Sequence, residues 1–492
     1  MARLRSPAGL RSLAGLRSLA GLRSLAGLRS LAGLAGAGTT AAAQFAVTLL
    51  VTRALPPAEA GVFFTTTTLG LMLAGVLRLD TGNGLIYFRA RRPSEEPLAA
   101  EADGAGVRSA GVRSAGVRSA GVGDRDRPAA IAVRQPTDQR PATNETVGGL
   151  FAAECTTGGG LPASPPDRES SGNFRTTAAR PLLAVALIPV VAGALVTSVI
   201  LTGTEPALAL VLPFVVVADV LVAATRGTGG MRETLLLSGL VQPVSQVLLV
   251  GGALATGLSA PWLILAWGIP AVPVTIIATL RLRGTGTRVS WREFWAYTTP
   301  RSLAAALQAV FQRLDVVIVA LLAGPAEAAF YVAATRFKVV GQLVGQGLAQ
   351  GVQAELVRKF AQGEPAAARA LHRRAARTQM ALTWPLWIGY AVFAPQILRV
   401  FGDGYEHAAD VAIVLALTMM VASACGMADI VMIASGRTRA SLGNVAAALA
   451  VTVGLDLVLV PAYGAFGAAL GWAGGVLVKN LLPLTQLARA TA

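Results

Sequence analysis

Residues 234–280 read TLLLSGLVQPVSQVLLVGGALATGLSAPWLILAWGIPAVPVTIIATL, 47 positions without one positive or negative side chain. A helix needs roughly 20 mostly apolar residues to cross about 30 Å of hydrocarbon. This stretch therefore holds two crossings, folded back at Gly257-Leu258-Ser259-Ala260-Pro261. By contrast, 14 positive side chains lie between Arg78 and Arg180. A mean hydropathy of +0.59 with 54% hydrophobic and 14% charged residues completes the picture of a chain in which charge is rare and its placement carries the information. The reading is an all-α polytopic membrane protein.

Working outward, further apolar stretches cover about 30–52, 60–77, 181–204 and 206–225, the last interrupted only by Asp219. The second half adds about 302–323, 328–350, 378–398, 411–433, 440–460 and 465–487, so about twelve helices are expected. Short cytoplasmic loops of membrane proteins carry the excess of Lys and Arg. Placing the N-terminus inside puts the clustered arginines in cytoplasmic segments and leaves only Arg53 and Arg399 outside. The expectation is a multi-pass protein of the cell membrane with both termini cytoplasmic and no cleaved secretory signal.

The net charge of +16 is then explained by an inner surface facing anionic membrane lipids, and nucleic acid is not an expected partner. Cys155 and Cys425 provide neither a disulfide framework nor metal spacing, and His372 and His407 fall in opposite connections. No metal and no cofactor are expected.

Residues 1–29 form a repetitive basic segment built on the hexad Arg-Ser-Leu-Ala-Gly-Leu. Residues 30–90 carry helices 1–2, and 91–180 is a Pro- and Gly-rich segment of mixed charge that reads as a disordered cytoplasmic insertion. Residues 181–280 carry helices 3–6, 281–301 form an inter-lobe linker, and 302–488 carry helices 7–12. An internal echo supports two lobes: Pro57-Ala58-Glu59-Ala60 and Pro325-Ala326-Glu327-Ala328 occupy the same hairpin position in each half. Six spans per half give two pseudo-symmetric lobes of equal orientation around a central cavity.

Ionisable groups at membrane depth are costly unless they face protein, water or a substrate. Spans 7 and 8 concentrate them: Gln308, Gln312, Arg313, Asp315, Arg336, Lys338, Gln342, Gln346 and Gln350. On a continuous helix Gln308, Gln312 and Asp315 share a face, as do Gln342, Gln346 and Gln350. Arg336 and Lys338 either attract a phosphate-bearing substrate or pair with Asp315 and fix the lobe geometry. Arg78 and Asp80 form either a gate or a snorkelling helix end. Asp219, Asp429 and Asp456 are each an ion-coupling group or a structural partner, and the sequence does not choose.

No phosphate-binding Gly-x-x-x-x-Gly-Lys-Ser/Thr motif, nucleophile elbow or paired metal motif occurs, so ATP hydrolysis and other enzymatic activity are not expected. An integral membrane glycosyltransferase is the alternative from a different class.

Residues 52–63 (TRALPPAEAGVF), 82–91 (GNGLIYFRAR), 314–327 (LDVVIVALLAGPAE) and 457–469 (LVLVPAYGAFGAA) resemble the polysaccharide transporter branch of the multidrug/oligosaccharidyl-lipid/polysaccharide exporter superfamily. The resemblance implies a flippase that moves a lipid-linked oligosaccharide across the cytoplasmic membrane for cell-surface polysaccharide biosynthesis, with polymerase or glycosyltransferase partners. It implies that Arg313, Arg336 and Lys338, with Gln312, Gln342 and the outer-end Arg53, meet the anionic head of the lipid-linked glycan, while Asp315 organises them. A peptidoglycan-precursor flippase and a drug or cation exporter of the same superfamily are the alternatives.

Overall fold

The computed structural model describes residues 25–90, 180–226, 231–282, 288–435 and 437–489. The hexads up to residue 24 and nearly all of the expected insertion lie outside the described residues. All described elements belong to one compact unit.

In the first lobe, α1 (Leu25–Ala54) and α2 (Pro57–Leu77), continued by α3 (Thr81–Ala90), form the first two spans. A two-residue strand, β1 (Arg180–Pro181), leads into α4 (Leu182–Leu201) and α5 (Pro206–Arg226). The fifth span joins α6 (Met231–Leu236), a π-helical turn at Leu237–Val241 and α7 (Gln242–Ala255). The sixth is α8 (Ala260–Gly268) and α9 (Ala271–Leu282), separated at Ile269-Pro270 where proline removes a helix donor.

In the second lobe, β2 (Arg288–Val289) pairs antiparallel with β1, a small departure from the all-helical expectation. Span 7 is α10 (Trp291–Phe311) plus α11 (Leu314–Leu322), bent by 46°. Helical structure thus begins inside the 281–301 segment expected as a linker. Span 8 is α12 (Pro325–Thr335) plus α13 (Lys338–Ala361), and span 9 is α14 (Pro365–Val392) with α15 (Ala394–Leu398). Span 10 is α16 (Ala409–Cys425) plus α17 (Ala428–Ala434). The last two spans share α18 (Thr438–Arg489), which folds at Gly464, where φ is +55°. Among the described residues, length and apolarity alone identify seven crossing helices, or up to nine with bent pairs joined. The first span, the polar eighth span and the division of α18 complete the twelve.

The echoed Pro-Ala-Glu-Ala segments start α2 and α12 in the same way. Each places proline in the first turn, where its missing N–H costs nothing, and glutamate beside the positive end of the helix dipole. These two starts meet across the lobes: Gly61 lies directly against the Pro325 carbonyl, leaving no room for a β-carbon. At the same membrane face Arg53 Nε donates to Val400 O at 2.7 Å, and Phe45 packs edge-on against Phe337 and Phe401. Lipid is as apolar as leucine, so close contact between small residues, rather than release of water, holds such helices together. The glycines of the final span illustrate it, Gly471 and Gly475 packing on Asp456 and Thr452 of the preceding one. Ile188, Leu195, Val196, Val199 and Ile200 of α4 remain exposed, as expected of a lipid-facing stripe.

Candidate substrate cavity

Between the lobes lies a cavity of about 730 Å³. Its apolar and aromatic wall includes Phe63, Phe64, Trp267, Trp387 and Trp472. Lining residues Gly36, Gln353, Ile433 and Asn480 carry it toward the membrane face opposite Pro57 and Pro325, where the lobes are closed.

The charged lining follows from broken helices. At the end of α10 the Arg313 N–H bonds to Val310 O, three residues back, and the chain then turns by 46°. Arg336 ends α12 in the same way, its N–H bonding to Ala333 O. Irregular backbone is tolerated at membrane depth where it lines a cavity, and both breaks sit on this one. Continuous-helix spacing therefore holds for Gln308 and Gln312, joined by the Gln312 N–H to Gln308 O bond, but not for Asp315, which lies beyond the bend. All three line the cavity.

Gln312, Arg313, Asp315, Arg336, Lys338, Gln342, Asp219 and Asp429 line the cavity. The side chains of Gln346 and Gln350 fall outside the described set. Arg53 and Asp456 are not among the lining residues: Arg53 is exposed and engaged with Val400, and Asp456 is sealed within the second lobe. Arg53 thus sits at an inter-lobe contact and not beside the cavity's other cations.

Lys338 pairs with Asp315 at 3.8 Å and lies 4.9 Å from the centroid of the Trp472 ring. Asp315 also accepts from Tyr331 Oη at 2.7 Å and from its neighbouring Val316 N–H at 2.9 Å. Asp429 accepts from Ser441 Oγ. Asp80 does not pair with Arg78. It binds Arg301 Nε at 3.0 Å and Asn83 Nδ2 at 2.7 Å instead, because Leu79 and Asp80 turn the chain with positive φ of 48° and 49°.

Arg336 differs from these satisfied groups. Its Nε is buried without a hydrogen-bond partner, and other cations, Arg313 and Lys338, lie within its electrostatic reach. Arg313 in turn lies within electrostatic reach of Arg78, Asp219 and Asp315. Seven cationic and four acidic residues line the cavity in all, so it is cationic among the described residues. Sequence reading left Arg226 to a loop and overlooked Trp472 and the role of Tyr331. Arg226 stands two helical turns after Asp219 on α5, a spacing that puts both on one face.

No protein of established function matches the chain by overall sequence. The MatE family model matches residues 300–459. An inward-facing multidrug resistance MATE family transporter of the MOP superfamily aligns over 94% of this chain and 98% of its own, at TM-score 0.60 and 12% identity. A MOP superfamily transporter from Pyrococcus furiosus, described as having a binding pocket of reverse polarity, aligns over 93% and 94%, at TM-score 0.52 and 13% identity. Similarity to the lipid II flippase MurJ in an inward closed conformation spans 57% of this chain and 61% of that one, at TM-score 0.48 and 12% identity, too partial to bear on function.

These findings correct the expectation of a lipid-linked oligosaccharide flippase, because the full-length similarity includes solved structures of multidrug resistance MATE family transporters. The chain has the two-lobed, twelve-helix polytopic membrane fold of MATE-type transporters of the MOP superfamily.

Proposed function

We propose that this protein is a secondary exporter of the multidrug type, carrying a small amphipathic organic molecule with an acidic group through the membrane by alternating access. The observation that carries the reading is the cavity of about 730 Å³, aromatic on its walls and cationic in its lining, with the Arg336 Nε left without a partner. Hydrogen bonds to charged groups contribute about 1.5–3 kcal/mol, and an apolar cargo body covers the surrounding wall. The reverse-polarity pocket described for the Pyrococcus furiosus transporter, where it is said to suggest a different function, supports treating pocket charge as variable within this fold.

The test is transport by the purified full-length protein in sealed lipid vesicles, with anionic carboxyfluorescein and cationic ethidium as probes. Movement of carboxyfluorescein above protein-free vesicles is the expected result. Movement of ethidium alone would remove the acidic-cargo reading and leave export standing; movement of neither would reject multidrug-type export.

A further inference from the structure

Trp387 is shut into the second lobe with 1% of its surface exposed, yet its indole Nε1–H has no hydrogen-bond partner. Two turns earlier on α14, the Oε1 of Gln379 is also buried without one. Thr383 stands between them, and its hydroxyl donates to Gln379 O at 2.9 Å, which leaves the Thr383 oxygen able to accept. The three recur every four residues, so they run down one side of α14, and all three line the central cavity.

Two aromatic residues beside this stripe that do not line the cavity are engaged. Trp384 Nε1 donates to Met420 O at 3.2 Å and to Ser423 Oγ at 3.1 Å, and Tyr390 Oη donates to Ala334 O at 2.7 Å. The unmet donor and acceptor thus belong to the side of α14 that meets the cavity.

Glycines of α13 hold both groups in place. A β-carbon on Gly341 would come within 2.3 Å of the Trp387 ring, and one on Gly345 within 3.1 Å of the Gln379 amide. The two glycines are one helical turn apart, about 6 Å at 1.5 Å per residue. Gly341 also follows Arg336 by five residues, a rise of about 8 Å on the same scale.

Polar groups that converge on an aromatic-walled cavity fix the orientation of a small ligand and give it specificity. A ligand amide answers both groups, its carbonyl accepting from the Trp387 indole and its N–H donating to Gln379 Oε1. Flanked by two hydrogen bonds of about 2.9 Å each, an amide spans a gap of up to about 8 Å. A carboxylate only accepts and would face Gln379 Oε1 unpaired, while an ammonium group only donates and would leave the indole unmet.

We propose that Trp387 and Gln379, flanked by Thr383, form an amide-recognising subsite of the cavity, so that the cargo is an organic acid carrying an amide about 8 Å from its acidic group. The placing of the acid at Arg336 rests on the exporter reading; the amide subsite itself does not.

The experiment is equilibrium dialysis with the purified full-length protein. It compares N-benzoyl-δ-aminovalerate with δ-benzoyloxyvalerate, an ester of the same shape and charge in which oxygen replaces the N–H. Native protein is expected to bind the amide about fivefold to tenfold more tightly than the ester, the equivalent of one hydrogen bond. Gln379→Met should abolish that preference. Trp387→Phe should weaken both compounds alike, since both keep the carbonyl, and Arg336→Gln should weaken both and leave their ratio unchanged. Equal binding of amide and ester by the native protein would overturn the subsite and leave water as the partner of both atoms. A preference that persists in Gln379→Met would overturn it as well. Binding of neither acid would sink the acidic-cargo reading, and the uncharged pair N-pentylbenzamide and pentyl benzoate, compared in the same way, would then decide the amide subsite.

Discussion

Arg301 of α10 binds Asp80, in the turn between α2 and α3, at 3.0 Å, and this ion pair fastens half of span 7 to the first lobe. Tyr297 stacks on Tyr87 with centroids 4.2 Å apart, and Phe294 packs on Phe88 beside it. Among the described elements α10 packs on α2, α3 and α4, whereas α11 packs on α12 and α18 and also on α2. The span that sequence assigns to the second lobe is therefore shared between both, its part before the 46° bend resting on the first lobe and its part after the bend reaching the second.

Breaking that fastening should loosen the first half of span 7. The Asp80 and Arg301 side chains are 10% and 30% exposed, so water screens the pair only in part. Asp80→Asn is expected to lower stability by about 1–3 kcal/mol, read from unfolding in detergent. In a double-mutant cycle with Arg301→Gln, the losses should combine to less than their sum.

Gly61 sets the closed contact at the Pro57/Pro325 face. Pro325 presents a backbone carbonyl there, which cannot rotate away as a side-chain tip would. Gly61→Leu is expected to insert normally but hold the lobes apart. Spin labels at Arg53 and Arg399 should report a longer distance than in the native background, and an unchanged distance would show that the face does not depend on this contact.

Arg336 should dominate retention of an acidic cargo. Replacing it by glutamine is expected to weaken carboxyfluorescein binding by about tenfold to a hundredfold, the equivalent of one charge-assisted hydrogen bond. Arg53→Gln, away from the cavity and bonded to Val400, should leave that affinity unaltered. Equilibrium dialysis with purified protein compares the two directly.

Tyr331→Phe removes the 2.7 Å hydrogen bond to buried Asp315 while preserving the ring. The expected cost is about 1–3 kcal/mol, because the carboxylate loses a donor that water cannot replace. A midpoint of chemical unfolding equal to that of the native protein would contradict this.

Most of the fold was legible because a bilayer makes strong demands on sequence. Spans must be apolar and long, and the uncharged run 234–280 can satisfy that demand only as two crossings. The paired Pro-Ala-Glu-Ala motifs marked equivalent helix starts for the same reason, since proline and glutamate suit a helical first turn. The candidate site was legible as a group of charges. It was not legible as a set of partners, because helical spacing stops at Arg313 and Arg336, where the helices break.

Sequence by itself determined the membrane-spanning class, the twelve crossings, the two-lobed division and the concentration of charge in spans 7 and 8. Those follow from local hydropathy and charge, which depend on neighbours in the chain. Only tertiary structure decided that Lys338 answers Asp315, that Arg301 answers Asp80, that Arg53 stands away from the cavity and that Asp456 is shut in beneath Gly471. These outcomes depend on which helix lies alongside which, and an ionisable side chain in a membrane takes its role from the groups that surround it in space.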